Sequence, residues 1–345
     1  MKKFFVSAFV FGLFSVGTGQ DIHFSQFRNT PLFVNPAYCG DYPGKMRGIM
    51  NYRTQWTSAG APFKTFGASF DMPVKRGRAN GNLFGAGLSF YSDRAGDIKL
   101  TNNHIALSGS GIIMLSRRSK LGSGLQLAAG QRSADFSGLL WGSQYTGTGQ
   151  GYDPNIPVPE NTTKHAYWYP DAGLGVFYEY NNSEFSFSGR EMFFINVGAS
   201  AFHVNQPRAS FVSSNEKLHM KIVGHVNSRY DFKGTAFGIL PSVIYMMQGP
   251  SSELNIGALM RYRLNQGTKI TGFKSENALY FGFYYRNKDA IIPQFFFEMA
   301  DYSIGISFDY NISGFSSSTN GNGGFEISLK YNNLTDAVFK REVFD

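Results

Sequence analysis

The chain has 345 residues and a net charge of +8, with 40 glycines, 34 phenylalanines, 19 tyrosines, one cysteine and only 16% charged residues. So much glycine and aromatic at so little charge is unusual for a soluble protein, and a slightly negative mean hydropathy argues against a helical membrane bundle. The mild basic excess does not argue for nucleic acid, and a lone cysteine, Cys39, excludes an internal disulfide and reads as a buried free thiol.

The N-terminus reads as an export signal. Met1-Lys2-Lys3 is basic, Phe4 to Val16 is an apolar core too short to span a bilayer, and Gly17-Thr18-Gly19 places small residues before a cut at Gln20. Residues 1–19 are therefore assigned as a signal peptide. No cysteine stands at the cut, so a lipid anchor is not expected. Loss of Lys2 and Lys3 takes the net charge from +8 to +6, and the mature chain is expected outside the cytoplasm.

Residues 20–44 hold Ile22, Phe24, Phe27, Leu32, Phe33 and Tyr38, too apolar for a disordered tail. Beyond them the sequence offers strands. In Ile304 to Ile312, the residues Ile304, Ile306, Phe308, Tyr310 and Ile312 fall on one face, and Gly305, Ser307, Asp309 and Asn311 on the other. The same alternation recurs in Ile327 to Asn332 and from Met220 to Asn227. A greasy, aromatic outer face over a polar inner one is the pattern of a membrane barrel, whose aromatics gather at the two interfaces.

The predicted strands are 46–56, 63–73, 83–92, 99–117, 120–136, 171–181, 192–205, 219–232, 235–248, 252–265, 278–287, 290–299, 301–313 and 324–333. Most reach the roughly 9–11 residues of a tilted spanning strand. The fold expected is all-β: a transmembrane antiparallel barrel of about fourteen strands over 45–333, with a plug-like segment at 20–44 and a C-terminal tail at 334–345. A plug fits because fourteen strands enclose more space than their own side chains fill. Inward-facing residues are predicted at Asn51, Arg53 and Gln55. An arginine at Ile306 is expected to be costly and one at Ser307 much less so.

Connection lengths predict an orientation. Turns at 74–82, 118–119, 182–191, 233–234, 266–277 and 300 form one set, and 137–170, 206–218 and 314–323 belong to the other. Barrels carry short periplasmic turns and longer outer loops, which places both termini in the periplasm. Two of the short turns are basic, through Lys75, Arg76 and Arg78 and through Arg117, Arg118 and Lys120. They read as solvated turns or as an underside that docks an acidic partner.

No catalytic constellation emerges. His23, His104, His165, His203, His219 and His225 show no metal-ligand spacing with one another or with Cys39. His225 and Asp231 share a strand face but lie about 20 Å apart at 3.3 Å per residue. Gly85-Ala86-Gly87 and Gly122-Ser123-Gly124 lie inside strands with no following helix, so they make room in the bore and do not bind phosphate. Asp153-Pro154-Asn155 reads as a turn before a calcium site. No cofactor or metal is expected.

Gln20-Asp21-Ile22-His23-Phe24-Ser25-Gln26-Phe27 and Leu32-Phe33-Val34-Asn35-Pro36-Ala37-Tyr38-Cys39-Gly40 resemble the opening motifs of the PorP/SprF family. So do Asn51-Tyr52-Arg53-Thr54-Gln55-Trp56, Gly151 to Pro157 before Asp171-Ala172-Gly173-Leu174-Gly175, Leu240-Pro241-Ser242, Tyr310 to Gly314 and Phe325 to Leu329. Cys39, where a small or apolar residue is commoner, and the extra tail depart from the pattern. The resemblance implies an outer-membrane, non-enzymatic component of the type IX secretion system of Bacteroidota. Its implied partners are the system's periplasmic ring lipoprotein and ring protein, or the C-terminal domain of a large secreted adhesin, often in gliding motility. Under that reading Phe24, Phe27, Leu32, Asn35 and Pro36 carry plug and partner contacts. The alternative is a passive channel for a hydrophobic small molecule, like fatty-acid transporters.

Overall fold

Alternation decides the wall. In β13 (Tyr302–Asn311) exposed and buried residues alternate without a break, with Tyr302, Ile304, Ile306, Phe308 and Tyr310 outward and Ser303, Gly305, Ser307, Asp309 and Asn311 inward. The computed structural model describes residues 21–58, 62–76, 83–96, 99–136, 141–147, 151–153, 155–157, 164–186, 189–208, 217–264, 277–314, 316–319 and 321–333. The predicted signal peptide 1–19, Arg78 and the tail 334–345 lie outside the described residues.

The other strands are β1 (Arg47–Gln55), β2 (Phe63–Arg76), β3 (Leu83–Ala95), β4 (Leu100–Met114), β5 (Ser119–Asp135), β6 (Lys164–Ser186) and β7 (Gly189–Phe202). They continue as β8 (Lys221–Asp231), β9 (Phe237–Gln248), β10 (Ser251–Arg263), β11 (Asn277–Arg286), β12 (Ala290–Met299) and β14 (Asn322–Asn332). Each strand pairs with its sequence neighbours, and β14 pairs antiparallel with β1 from Arg47↔Asn332 to Gln55↔Gly324, which closes a barrel of 14 strands. Among the described residues no helix is long and apolar enough to cross a membrane.

Four prolines lie inside strands, each where the ladder lapses. Pro73 sits at the β2–β3 bulge before Lys75. Pro241 lies in the gap of the β8–β9 ladder between Asn227↔Ser242 and Tyr230↔Ile239, and Pro293 in the β12–β13 gap between Ile291↔Tyr310 and Gln294↔Ser307. Pro170 lies before the first β6–β7 pair, Gly173↔Phe202. Proline has no N–H to give a ladder, so strands keep it only at such places. This explains the main departure from the predicted strands: β6 begins at Lys164, inside the expected outer loop. Its first residues pair with β5 alone, so Pro170 does not break it.

The mouth where β1 begins and β14 ends is here called the near mouth, and the other the far mouth. Connections 136–163, 203–220 and 312–321 open on the far mouth, and 115–118, 187–188, 232–236 and 300–301 on the near one. The near-mouth connection 264–276 is the long exception.

Residues 21–44 run through the interior, in short helical turns at Phe27–Asn29, Pro31–Val34 and Pro36–Tyr38 joined by extended pieces. At the near mouth the Lys45 N–H donates to the Asn333 carbonyl over 3.0 Å. At the far mouth the Asp21 N–H donates to Oε1 of Gln248, the last residue of β9, over 2.9 Å. The segment therefore threads the bore from end to end. This corrects the expectation that both termini lie on one side: Asp21 and Asn333 are at opposite mouths. Apolar periodicity could show that the segment was buried but carried no direction.

Ser307 faces inward against this segment, accepting from Gln26 Nε2 over 3.2 Å. The bore has no room there, so the mild effect expected of arginine at Ser307 is withdrawn. The outer face keeps its expectation. Ile306→Arg, if near the bilayer midplane, is expected to cost about 2–4 kcal/mol, and Tyr302→Arg at the strand end about 0–1 kcal/mol. Urea titration of folding in phospholipid vesicles measures both, and equal costs would mean the outward face does not meet hydrocarbon.

Candidate functional site: the threaded segment and its walls

The segment grips the wall through two clusters of polar contacts, one near each opening motif. Ser25 has every polar atom engaged. Its N–H donates to Glu326 Oε2 over 2.7 Å, its hydroxyl donates to Asp309 Oδ1 over 2.7 Å, and its carbonyl accepts from Gln294 Nε2 over 2.8 Å. Arg286 Nη2 donates to the same hydroxyl over 2.8 Å. Gln26 donates to the Glu326 carbonyl over 3.0 Å and accepts from the Ser328 hydroxyl over 2.6 Å. Asn29 Nδ2 donates to that hydroxyl over 3.1 Å. The first motif thus holds β11 to β14.

Behind Ser25 lies a buried charge network. Arg53 Nη2 meets Asp309 Oδ2 at 2.6 Å, and Arg286 Nη1 meets the same oxygen at 2.9 Å. Arg286 also reaches Glu253 at 3.3 Å and Asp289 at 3.1 Å. Arg53 donates to the His23 carbonyl as well, and Asn51 Nδ2 donates to Glu326 Oε1 over 3.2 Å. Of the residues predicted to face inward, Asn51 and Arg53 are buried in this network, and Gln55 is half-buried at the far end of β1. Guanidinium–carboxylate pairs this deep hold geometry well because neither partner has water to fall back on.

The second motif holds the other half of the wall. Asn35 is extended, as a residue before proline must be, and its Oδ1 accepts from the Ala37 N–H over 2.9 Å, capping the turn Pro36–Tyr38. Its Nδ2 donates to the Val176 carbonyl of β6 over 3.0 Å and the Ala199 carbonyl of β7 over 3.3 Å. The Tyr38 hydroxyl donates to Asn196 and lies 2.6 Å from His225 Nε2, while the ring stacks on Phe177 at 5.0 Å. The Gly40 N–H donates to Asp71 over 2.7 Å, and Asp71 is paired with Arg47 at 2.8 Å. Cys39 is fully buried, its thiol donating to the Ser108 carbonyl of β4 over 3.6 Å.

Apolar contacts fill between. Leu32 is fully buried, Phe24 tilts on Phe33 at 5.7 Å, and Phe27 meets the edge of Tyr284 at 5.3 Å. Each such side chain is worth roughly 1.5–3 kcal/mol of burial.

One glycine in each of the β3 and β5 pairs admits the segment's backbone. A Cβ on Gly85 would fall on the Cys39 carbonyl, and one on Gly124 on the Ala37 amide, where backbone cannot yield. Gly124→Ala is accordingly expected to destabilise by about 1–3 kcal/mol through overpacking. Urea unfolding measures it. Ala at Gly48, whose Cβ would meet nothing within 4 Å, serves as control; equal midpoints would show that the segment does not press on β5.

At the far mouth Asp21 pairs with His203, which also meets Asp171 at 2.9 Å, and Lys221 Nζ donates to the Ile22 carbonyl over 3.0 Å. Burial alone would disfavour both charges of the first pair. Their mutual attraction outweighs it, holding the Asp21 carboxyl well below the usual range and raising His203 to about 9. The segment's first described residue is therefore latched by charge at neutral pH.

The basic residues divide. Arg117 and Arg118 lie in the exposed near-mouth turn 115–118, and Lys75 and Arg76 end β2. Lys120 departs from the predicted turn. It lies in β5 with its ammonium turned inward, 2.6 Å from Asp41 of the threaded segment and 2.9 Å from Glu179. Inward parity on β5 and two carboxylates draw it from solvent. The Asp153 carboxylate accepts from the Asn155 N–H over 2.9 Å, an Asx turn. His225 packs on Tyr38, while Asp231 pairs with Arg229 at 2.6 Å. Among the described residues no three His, Cys, Asp or Glu side chains converge to hold a metal ion.

The sequence reading passed over Asp309, Glu326, Arg286, Ser25 and Gln26 as site residues. A signal for the three charged ones was present: each falls on the polar face of an otherwise alternating strand, where no lipid can face it.

Several solved barrels are similar in outline only. A FadL homologue from Pseudomonas aeruginosa has 10% identity and a TM-score of 0.44, covering 89% of this chain and 94% of that one. The Pseudomonas putida toluene transporter TodX has 9% identity and a TM-score of 0.44, with 89% and 93% covered. BamA from Haemophilus ducreyi lacking POTRA domains 1–3 has 7% identity and a TM-score of 0.42, with 84% and 70% covered. No curated protein matches the chain. The family described as type IX secretion system membrane protein PorP/SprF matches residues 16–331, spanning both opening motifs, the threaded segment and the barrel but for the last residue of β14, and the chain belongs to that family.

Proposed function

We propose that this protein works in the outer membrane as a protein-binding component of type IX secretion, supporting the export or surface attachment of cargo, and not as a solute channel. The observation that carries the reading is the filled bore. Residues 21–44 thread it from mouth to mouth, and the interior cavity among Leu32, Tyr91, His104, Asp171 and His203 is about 40 Å³, room for a few waters. A solute path needs a continuous lumen; a binding surface needs a rigid one, which the network around Ser25 supplies.

In this reading the near mouth faces the periplasm, where Arg117 and Arg118 offer positive charge to the system's ring lipoprotein and ring protein. The far mouth, with the longer loops, faces outside, toward the C-terminal domain of a large adhesin. Planar-bilayer recording on the intact protein, together with surface display of cargo in a deletion strain, tests it. Silence in the bilayer and loss of display are expected. Steady conductance or solute uptake by the intact protein, with display retained in the deletion strain, would instead establish the hydrophobic-solute channel.

A further inference from the structure

We propose that the barrel closes around its N-terminal segment, and that Ser25 and Gln26 act as an internal clasp setting the register of β14 on β1. Two independent observations meet here. The first is threading. Asp21 is tied to Gln248 and His203 at the far mouth, while Lys45 and Met46 are tied to Asn333 at the near one. Inserting the segment after closure would draw Asp21, Ser25 and the aromatics Phe24 and Phe27 lengthwise through a bore just wide enough to hold them. Laying the wall around a segment already bound to it needs no such passage.

The second observation is where the contacts fall. The β1–β14 seam joins the two strands farthest apart in sequence, so it is the last pairing a chain-order assembly can make. The first motif is aimed at it. Glu326 of β14 accepts from the Ser25 amide at 2.7 Å and, across the seam, from Asn51 of β1 at 3.2 Å. Arg53 of β1 donates to the His23 carbonyl and pairs with Asp309 of β13. Gln26 takes the Glu326 carbonyl and the Ser328 hydroxyl of β14 and the Ser307 hydroxyl of β13.

These contacts read register, not merely proximity. Side chains alternate faces, so a shift of one residue would turn Glu326 and Ser328 out to lipid, and a shift of two would carry Glu326, held by the Ser25 amide, out of its place opposite Arg53, which holds the His23 carbonyl. On the outward face the pairing Met50↔Leu329 and its neighbours are exposed hydrophobics that look alike, and offer no comparable signal. The second motif grips β2 and β4 to β8 and meets the closing pair at the near end of β1, where the Tyr38 carbonyl accepts from Arg47 Nη2 over 3.1 Å, while Asn35 itself binds β6 and β7.

The test is disulfide trapping during refolding into phospholipid vesicles, in a Cys39→Ser background. Met50→Cys with Leu329→Cys reports the closing seam in register, and Met50→Cys with Ile327→Cys reports it two residues out. Val197→Cys with Val226→Cys reports the distant β7–β8 seam. Adding Ser25→Ala and Gln26→Ala, which spares the Ser25 amide, should slow the in-register closing crosslink by about tenfold, the effect of losing the Gln26 hydrogen bonds to the Glu326 carbonyl and the Ser328 hydroxyl from the closing transition state. The out-of-register crosslink should rise, and the β7–β8 crosslink should form at its original rate. Asn35→Ala should leave the closing seam unchanged. An in-register crosslink that forms as fast in the Ser25→Ala, Gln26→Ala chain as in its parent would overturn the proposal. So would equal slowing of both seams, or an equal effect of Asn35→Ala, since either would reduce the motif to general stability. The single variant Gln26→Ala repeats the measurement if the double variant does not fold.

Discussion

Asp309→Ala is expected to destabilise the barrel by about 3–5 kcal/mol, the range for removing one partner of a buried ion pair. Its carboxylate is the shared acceptor of Arg53 and Arg286, at 2.6 and 2.9 Å, and it also takes the Ser25 hydroxyl. Both guanidiniums are almost fully buried, and arginine cannot shed its proton to escape the cost. Arg286 would retain Glu253 and Asp289, but among the described residues Arg53 would keep no direct ion pair, only its hydrogen bond to the His23 carbonyl. Asp289→Ala makes the contrast. Asp289 meets the same Arg286 at 3.1 Å, but its side chain is 40% exposed, so about 0–1 kcal/mol is expected. Urea unfolding followed by tryptophan fluorescence separates the two, and similar losses would show that water reaches the network.

On intact cells, in a Cys39→Ser background, cysteines at Gly147 and Ile22 are expected to react with a membrane-impermeant thiol reagent, and one at Arg117 is not. Gly147 lies in the exposed connection after β5 at the far mouth, and Arg117 in the exposed near-mouth turn. Ile22 stands beside the Asp21–His203 latch at the far mouth, so it must share a side with Gly147 whatever the orientation. The contrast expected is all or none, because the bilayer separates the mouths. Reaction at Arg117 alone would invert the orientation proposed. Reaction at Gly147 without Ile22, when both are labelled in lysed cells, would show that the segment does not emerge where Asp21 lies.

The wall was legible in the sequence because a strand's side chains have a period of two and a membrane barrel presents opposite solvents to its two faces. That is why Ile304 to Ile312 declared both its strand and its outward residues, and why Asn51 and Arg53 could be placed inward by parity. The two opening motifs were visible as motifs, and six large apolar residues before β1 marked a buried segment. What each motif binds was not visible. Ser25 finds Glu326 and Asp309 some three hundred positions away, and no local pattern encodes which inward-facing residue a threaded segment will meet. The direction of threading, the inward turn of Lys120 toward Asp41, and the tolerance of Pro170 in β6 were settled in the same way. Each depends on what lies beside the residue once the barrel has closed, whereas alternation depends only on the chain itself.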